Sequence, residues 1–430
     1  MKTKEIINQA KPNRYVVLLG NDSQSSVNKV QKELNIKLTS SQELSSEVRA
    51  HDIMSSGNGI IFKNLGIAVV DNIEKAQLSK ALVTAQNPIV YFEKEIEFRP
   101  VDEFQQLQEL KNTAAQLQQQ LEKLELFLKQ KPNEPISDWA NATWGINAIG
   151  LESSHFTGKG VDICILDTGF YANHPDFNGR NIIGKSFIQG ESWDNDGNGH
   201  GTHCTGTAAG NISKVDGTRY GVANEANIVI GKVLSDMGSG STSGIVDAID
   251  WAIEKKYKVI SMSLGSPVGI GQEPSPIFEH IGRKALEQNS LLIAAAGNDS
   301  NRPNLPRPVS SPANAESIMA IAAIDKHLKV ANFSNGGINV SNGGRIDVSA
   351  PGVDILSSYS ENAPNGKLYA RLNGTSMATP HIAGIAALYW EAYPNLTAAE
   401  LWLKIEKRAF QLQNQLARDV GQGLGNATVN

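Results

Sequence analysis

Short apolar runs alternate with amphipathic segments over the last two thirds of this chain. Five apolar runs stand out, at 161–166, 228–234, 259–264, 291–296 and 318–324. Runs of this kind are typical of strands that are buried on both faces of a parallel sheet. Between them, Ile245, Ile249 and Ile253 share one face of a predicted helix at 243–256. The alternation predicts an α/β fold with a doubly wound parallel sheet, whose ligands bind beyond the carboxyl ends of the strands.

The first hundred residues have a different pattern. Strand-like runs at 15–19, 60–70 and 89–92 alternate with helical periodicity at 25–34 and 74–85. Only four of the chain's 39 glycines fall within the first 136 residues, and one of them, Gly66, interrupts the second run. This region is therefore predicted to be a separate, small α+β domain with the element order β-α-β-β-α-β.

An amphipathic helix is predicted between these two parts. Over 104–128, seven Leu or Ala residues recur at intervals of three and four, and Pro132 is expected to stop the helix. This apolar seam fits a linker helix that lies against one domain, or a coiled coil through which two copies of the chain associate. The chain is thus divided into an N-terminal tail (1–13), a small domain (14–101), a linker (102–136) and a large domain (137–430).

Charge and composition narrow the functional classes. The chain has 39 Lys and Arg against 44 Asp and Glu, a net charge of −5, without a block of like charges. This balance does not favour nucleic acid or an anionic membrane surface as a partner. No run of 18 apolar residues is present, and the mostly polar first 14 residues lack the apolar core of a secretory signal. A cytoplasmic protein is expected, unless a signal has been trimmed from a secreted one.

Two polar motifs are candidates for chemistry. Asp167 ends the first strand of the large domain, in LDTG, at the edge of the sheet where open α/β folds bind their ligands. The residues Asp-Thr-Gly fit an ordinary turn equally well. His200 lies between two glycines in NGHGTHCTG, and these leave its ring accessible. A zinc site of His200, His203 and Cys204 is disfavoured, because the spacing and the missing Glu do not match a zincin helix. His203 alone fits a hydrogen-bonded core histidine.

A third motif, NGTSMATPHIAG, leads into a strongly apolar helix. Ser376 is predicted to lie at the N-terminus of that helix, where unpaired N–H groups and the helix dipole stabilise a developing negative charge. That position suits a nucleophilic hydroxyl, and it also suits an ordinary helix cap. A nucleophilic hydroxyl needs a base, and an imidazole base needs a carboxylate to fix its tautomer. Asp167, His200 and Ser376 supply these three roles together.

The three motifs, in this order, resemble the catalytic segments of the subtilisin-like serine proteases, the subtilases of peptidase family S8. The resemblance extends over about residues 137–426, and the histidine motif with Cys204 is most similar to the proteinase K branch. It implies a subtilisin-like fold and a serine endopeptidase that hydrolyses polypeptide substrates through an acyl-enzyme on Ser376, with no cofactor required for the chemistry. Cys204 would lie below His200. Cys164 and Cys204, the only two cysteines, are expected to be buried and unpaired.

The resemblance also implies an oxyanion hole and a substrate cleft. Asn298, in AAAGN, matches the side-chain oxyanion donor of the family, and the backbone N–H of Ser376 would be the second donor. The residues that would line the cleft and pair with an extended substrate are Ser263, Leu264, Gly265, Ala295, Ala296 and Gly297.

One acidic position matches a calcium ligand of the family. Asp176, in HPDF, corresponds to it, so the resemblance makes a structural Ca²⁺ at Asp176 possible. The run DNDGNG at 194–199 imitates the start of an EF-hand loop, but Thr205 stands at the twelfth position, where a bidentate Glu is required. An EF-hand is therefore not predicted.

The small domain, which opens with RYVVLL, is similar to the inhibitory propeptide of subtilisins, a ferredoxin-like module of the inhibitor I9 type. By this resemblance it would assist folding, since non-local parallel pairing forms slowly. Its C-terminal part, around 90–101, would block the cleft as an intramolecular inhibitor. The chain would then be a zymogen that cuts itself near 95–102 or near 131–140. An unrelated α+β interaction domain is the alternative interpretation.

Two further functions are alternative hypotheses. One is a catalytically silent protein that uses the fold to bind partners, although the presence of Asp167, His200, Asn298 and Ser376 together argues against it. The other keeps the chemistry but restricts it to the maturation of one partner polypeptide, or to the transfer of a peptide onto an amine.

Overall fold

The computed structural model describes residues 13–20, 24–43, 59–82, 88–100, 136–138, 141–339, 343–361 and 368–429. The linker helix predicted at 104–128 lies outside these residues. Both interpretations of that helix, including association of two copies through it, therefore stay predictions.

The described part of the small domain is a five-stranded sheet with two helices packed on one face. Its elements are β1 (Tyr15–Leu19), α1 (Gln24–Leu34), β2 (Leu38–Ser40), β3 (Gly59–Phe62), β4 (Ile67–Val70), α2 (Lys75–Leu82) and β5 (Ile89–Lys94). The strand order is β2-β3-β4-β1-β5, and each pair is antiparallel except β2 with β3. When the edge strand β2 is left out, the order of elements along the chain is β-α-β-β-α-β, as predicted for a ferredoxin-like module. Three residues carry too short a pattern for β2 to be recognised from sequence.

The large domain is built on a parallel sheet. The elements that follow β5 along the chain are β6 (Glu97–Pro100), α3 (Trp144–Ala148), β7 (Asp162–Asp167), β8 (Ile182–Ser186), α4 (His200–Ala209), β9 (Asn227–Lys232), β10 (Gly240–Ser241), α5 (Thr242–Glu254), β11 (Val259–Met262), β12 (Leu264–Gly265), α6 (Pro276–Glu287), β13 (Leu291–Ala295), β14 (Met319–Ile324), β15 (Val348–Pro351), β16 (Ile355–Ser358), β17 (Tyr369–Leu372), α7 (Thr375–Ala392), α8 (Ala398–Arg408) and α9 (Ala417–Val420). Within the described residues, seven of these strands form one sheet in the order β15-β14-β13-β11-β7-β9-β8, and every pair in it is parallel.

The strands and the helix predicted in the large domain are confirmed within a few residues, as β7, β9, β11, β13, β14 and α5. The two outermost strands of the sheet, β8 and β15, were not evident from the sequence. β8 contains Lys185 and is only partly buried, and β15 ends in Pro351. Edge strands are short and partly polar, so their sequence pattern is weak.

Helices cover both faces of this sheet. Successive residues of a strand point to opposite faces, so Ile163 of β7 lies in the core beneath α4 and α7, whereas Cys164 lies in the core beneath α5 and α6. Helix α7 is buried from Thr375 to Trp390. The helix that carries the candidate nucleophile is therefore held on all sides.

The small domain packs against the large one through the face of its sheet that α1 and α2 leave uncovered. Val16, Ile60 and Phe62 share a core with Ile277 of α6. The ring of Phe98, in β6, meets that of Phe278 edge to face at 5.5 Å. This apolar contact places the end of the small domain beside the carboxyl edge of the parallel sheet. Among the described helices, each is either too short or not apolar enough to cross a lipid bilayer.

Candidate active site

Asp167 and His200 meet at the carboxyl edge of the central sheet. Asp167 is the last residue of β7, and His200 is the first residue of α4. Nδ1 of His200 lies 2.7 Å from Oδ1 of Asp167, and both side chains are buried. Burial by itself lowers the pKa of His200, but the adjacent Asp167 carboxylate outweighs burial and raises this pKa well above its usual value. The imidazole is thus held as a base whose protonated form is stabilised.

A second buried carboxylate, that of Asp196, ties these two segments together. Its Oδ1 accepts hydrogen bonds from the Thr168 hydroxyl and the Gly199 N–H, both at 2.8 Å. Its Oδ2 accepts from the N–H and the hydroxyl of Thr202, at 2.8 and 2.6 Å. Thr168 lies in the turn after β7 and Gly199 precedes α4, so Asp196 fixes the two active-site segments relative to each other. This role of Asp196 was not predicted from the sequence, where an Asp three residues before a helix-capping glycine was the available signal.

Ser376 is the second residue of α7, and its turn is fixed by two other segments. Its Oγ donates to the carbonyl of Ser263 at 3.1 Å, and its own carbonyl accepts from the Ser263 hydroxyl at 2.9 Å. Sγ of Cys204 lies 3.6 Å from the Ser376 carbonyl and 3.8 Å from Nδ1 of His200. The thiol of Cys204 therefore packs between the turn of Ser376 and the ring of His200.

The amide of Asn298 is oriented by Thr375, the residue before Ser376. Oδ1 of Asn298 accepts from the N–H of Thr375 at 3.0 Å and from its hydroxyl at 2.9 Å. The same hydroxyl accepts from the N–H of Gly297 at 3.1 Å. Because these bonds hold the carbonyl end of the planar amide, its NH₂ end is turned to the opposite side. Thr375 is a positioning residue that the sequence analysis did not identify.

The segment assigned to the cleft pairs with the end of the small domain. In the described part of the chain, β6 lies between β10 and β12 in a three-stranded antiparallel sheet. The paired residues are Phe98 with Gly240, Glu97 with Ser241, Arg99 with Gly265 and Pro100 with Leu264. The backbones of Leu264 and Gly265 thus bind an extended polypeptide. Ser263, the residue before them, is hydrogen-bonded to Ser376. From the sequence, the segment around 90–101 was predicted to block the cleft, but its partner strand β10 was not identified.

The other segment assigned to the cleft, Ala295 to Gly297, lies directly before Asn298. Ala295 and Ala296 are fully buried. Gly297 has a φ of +108°, and a Cβ on it would come within 2.3 Å of Asn335 Nδ2 and Ser310 Oγ. The position therefore requires glycine. The wall behind Gly297 is polar.

The side chain of Asp176 does not fit a cation. The Tyr220 hydroxyl donates to Oδ2 at 2.8 Å, and the N–H of Lys214 donates to Oδ1 at 2.9 Å. The Tyr369 hydroxyl lies 2.9 and 2.8 Å from the two oxygens. A calcium ligand must turn its lone pairs toward the ion, but here O–H and N–H groups point at them. Both oxygens that the possible Ca²⁺ at Asp176 would need are thus already occupied by hydrogen-bond donors of the chain.

Among the described residues, one group of side chains lies close enough together to hold a metal, namely Asp167, His200 and Cys204. Nδ1 of His200 is already bonded to Asp167, and burial raises the pKa of the Cys204 thiol to about 11, so the thiol is protonated. His203 turns away and donates from Nε2 to the carbonyl of Ile355 at 2.9 Å. This agrees with the sequence argument against zinc. Cys164 and Cys204 are buried and free, as predicted.

Acyl transfer requires a hydroxyl, a base with a raised proton affinity and donors for an oxyanion. The ends of β7 and β13 and the first turns of α4 and α7 carry these groups to one edge of the parallel sheet. The class of protein is therefore an α/β serine hydrolase.

Known proteins narrow this class. The family model described as "Subtilase family" matches residues 158–425. Subtilisin DY from Bacillus licheniformis is 37% identical over 281 residues, which cover 65% of this chain and 94% of that protein. Subtilisin Savinase from Lederbergia lenta is 37% identical over 287 residues, covering 66% and 96%. The thermostable alkaline protease of Halalkalibacterium halodurans is 38% identical over 295 residues, covering 66% and 74%. The chain belongs to the subtilase family and is a serine-type endopeptidase.

Proposed function

We propose that this endopeptidase is made as a zymogen, in which the small domain inhibits the large one by occupying its substrate cleft. The observation that carries the proposal is the sheet in which β6 pairs on both sides, with β10 and with β12. An extended substrate would use the same backbone groups. While β6 stays in place, no other polypeptide can pair there.

The proposed catalytic cycle runs through an acyl-enzyme. Oγ of Ser376 attacks the carbonyl carbon of the substrate, and its proton passes to Nε2 of His200. Asp167, bonded to Nδ1 of His200, stabilises the imidazolium. The oxyanion receives hydrogen bonds from the Asn298 amide and the backbone N–H of Ser376. His200 then gives the proton to the leaving amine as the C–N bond breaks, and water releases the acyl group by the same steps in reverse.

The register of β6 supports one cleavage site. Pro100, the last described residue of β6, lies opposite Leu264, the neighbour of Ser263, in an antiparallel pair. The Ser263 carbonyl accepts the hydrogen bond of the Ser376 hydroxyl at 3.1 Å. We therefore assign self-cleavage to the bond between Val101 and Asp102. This lies within the first of the two regions that the sequence analysis considered.

Contacts outside the cleft would keep the small domain in place after this cleavage. Oε1 of Glu95 accepts from the N–H of Ser243 at 3.0 Å, in the first turn of α5. Glu93 accepts from the hydroxyl of Ser275, which caps α6, at 2.6 Å. Carboxylates at helix N-termini are stabilising. Inhibition would therefore outlast the cut, and the cleft would open only when the small domain is itself digested.

The test compares the wild-type chain with Ser376→Ala, by intact mass and by digestion of an unstructured protein over time. We expect only the wild type to be cut after Val101 and later to digest the substrate. If both stay whole and inert while folded, the zymogen proposal fails. Cleavage near 131–140 instead would keep self-processing but would contradict the assignment made from β6.

A further inference from the structure

We propose that hydrogen bonds from tyrosine and arginine side chains take the place of a structural cation around Asp176, so that the folded state is independent of Ca²⁺ at this position. This inference concerns the stability of the catalytic domain and does not depend on the zymogen proposal.

Hydrogen-bond donors of the chain itself surround the Asp176 carboxylate. Asp176 is 6% exposed, so its charge has to be compensated from within the protein. The hydroxyls of Tyr220 and Tyr369 and the N–H of Lys214 all donate to it, at 2.8 to 2.9 Å. Hydrogen bonds to a charged group are among the strong ones in proteins. The carboxylate is thus satisfied by groups of the chain itself.

The two hydroxyls are dependable donors. Desolvation, together with the neighbouring Asp176 charge, raises the pKa of Tyr220 far above its usual range. Desolvation also raises the pKa of Tyr369, to about 12. Both side chains therefore keep their protons at neutral and moderately alkaline pH, and the hydrogen bonds to Asp176 persist there.

A calcium site at Asp176 would have to be completed by carbonyl groups. Ca²⁺ takes about six to eight oxygen ligands, many of them backbone carbonyls. Near Asp176, Arg180 donates to the carbonyls of Ala209 and Ala226. Arg219 donates to the carbonyls of Gly221 and Val222 at 3.2 and 3.0 Å. The carbonyl of the last residue of α4 and three carbonyls of the connection between α4 and β9 are thus used by guanidinium groups, whose positive charge also opposes a second cation.

The hydrogen bonds to Asp176 join segments that lie far apart in the chain. Asp176 follows β7, Lys214 and Tyr220 lie between α4 and β9, and Tyr369 begins β17. Strand β17 leads within a few residues to α7, which carries Ser376. The hydrogen bonds therefore fasten two other segments to the one that carries Asp176, which is the task that a bridging cation performs elsewhere.

The experiment uses the full-length chain with Ser376→Ala, which prevents self-digestion, and measures its thermal midpoint in EDTA and in Ca²⁺. We expect equal midpoints. A cation bound only by the native state, at a hundredfold excess over its Kd, would raise the midpoint by on the order of 5 to 10 °C. A rise of that size that is absent in Asp176→Asn would overturn the proposal. A rise that is equal in both chains would come from another place, and would support the exclusion of Asp176 from the ligands.

A donor variant supplies the second arm. Tyr220→Phe removes one charged hydrogen bond and is expected to lower the midpoint by about 3 to 10 °C, equally in EDTA and in Ca²⁺. The matched control is Tyr389→Phe, because the Tyr389 hydroxyl is buried without a hydrogen-bond partner among the described residues. We expect this control to leave the midpoint almost unchanged. Equal losses in Tyr220→Phe and Tyr389→Phe would contradict the role of Tyr220.

Tb³⁺ luminescence tests the same site by the binding of a probe ion and not by the thermal midpoint. Tb³⁺ bound at Asp176 would be sensitised by the two tyrosines that contact this carboxylate. We expect that any sensitised emission from the Ser376→Ala chain persists when Tyr220→Phe or Tyr369→Phe is added. Emission that disappears in both variants would place the ion at Asp176 and would overturn the proposal.

Discussion

The carboxylate of Glu95 accepts a hydrogen bond from the backbone N–H of Ser243 at 3.0 Å, in the first turn of α5. Glu95 is 2% exposed and also pairs with Arg14, 3.5 Å away. The contact joins the last part of the small domain to a helix N-terminus beside the cleft. Electrostatic complementarity, as well as apolar packing, therefore holds the small domain on the enzyme.

The first prediction concerns this contact. Glu95→Gln removes the charge at the helix N-terminus and is expected to weaken the hold of the small domain about 10- to 100-fold, since a hydrogen bond to a charged group contributes about 1.5–3 kcal/mol. The measurement is the protease activity that appears when the self-cleaved complex is diluted. The control is Glu97→Gln, whose carboxylate bonds Arg99 at the surface at 3.0 Å. Equal effects of the two variants would contradict the prediction.

A second carboxylate at this interface, that of Asp250, is expected to weaken the docking of the small domain when it is ionised. Asp250 is 3% exposed and accepts from the Ser41 hydroxyl at 3.0 Å. Desolvation raises the pKa of Asp250 to about 6. The docked small domain is therefore stabilised as the pH falls through 6 toward the usual pKa of a carboxyl group, and this stabilisation is lost as the pH rises again. Asp250→Asn should tighten docking at pH 8 on the order of 10-fold, whereas Glu254→Gln, an exposed change on the same helix, should not.

The third prediction tests how Asn298 is positioned. Asn298→Ala should lower kcat by about 10²–10³, the loss known for removal of the side-chain oxyanion donor in subtilisin. Thr375→Val keeps the amide but removes the hydroxyl that orients it, so a smaller loss in kcat, about 10-fold, is expected with little change in KM. Thr375→Ser should restore most of the activity. If Thr375→Val and Thr375→Ser lose equal activity, the hydroxyl does not orient Asn298.

The fourth prediction follows from Asp196. Asp196→Asn replaces one of the two acceptor oxygens by an NH₂ group, which then faces either the donors of Thr202 or those of Gly199 and Thr168. Misplacement of the catalytic segments should lower kcat by about 10- to 100-fold. Asp194→Asn, an exposed change two residues away, is the control and should retain wild-type kcat. The thermal midpoint of Asp196→Asn separates two causes of a lower kcat. An unchanged midpoint indicates a positioning effect, and a lowered midpoint indicates a loss of stability.

The fifth prediction is a pH profile. The pKa of His200 is raised above its usual value, and the neutral imidazole is the active form, so the acid limb of kcat/KM should lie above pH ~6.5. Protonated His200 stabilises the fold below pH ~6.5, and this contribution is lost as the pH rises through the raised pKa. Asp167→Asn should move the acid limb downward and lower kcat by about 10⁴. Asp162→Asn, at the other end of β7, should change neither.

Much of the fold could be predicted because buried parallel strands have a strong pattern. β13 is a continuous apolar run and β11 is interrupted only by Ser261, and both are buried along their whole length. β8 and β15 were missed, because an edge strand needs no such run. The motifs around Asp167, His200 and Ser376 were recognisable, since each combines a reactive residue with the small neighbours that its turn requires.

The sequence by itself determined the α/β class and predicted the three catalytic residues and a separate domain before the enzyme, because these depend on local pattern and on short motifs. Only the tertiary structure decided that Asp196 binds both catalytic segments, that Thr375 orients Asn298, and that β6 lies between β10 and β12. It also decided that tyrosine hydroxyls saturate Asp176. Hydrogen bonds of this kind join residues far apart in the chain, and whether a carboxylate binds a metal or an O–H depends on which donors the fold brings within 3 Å.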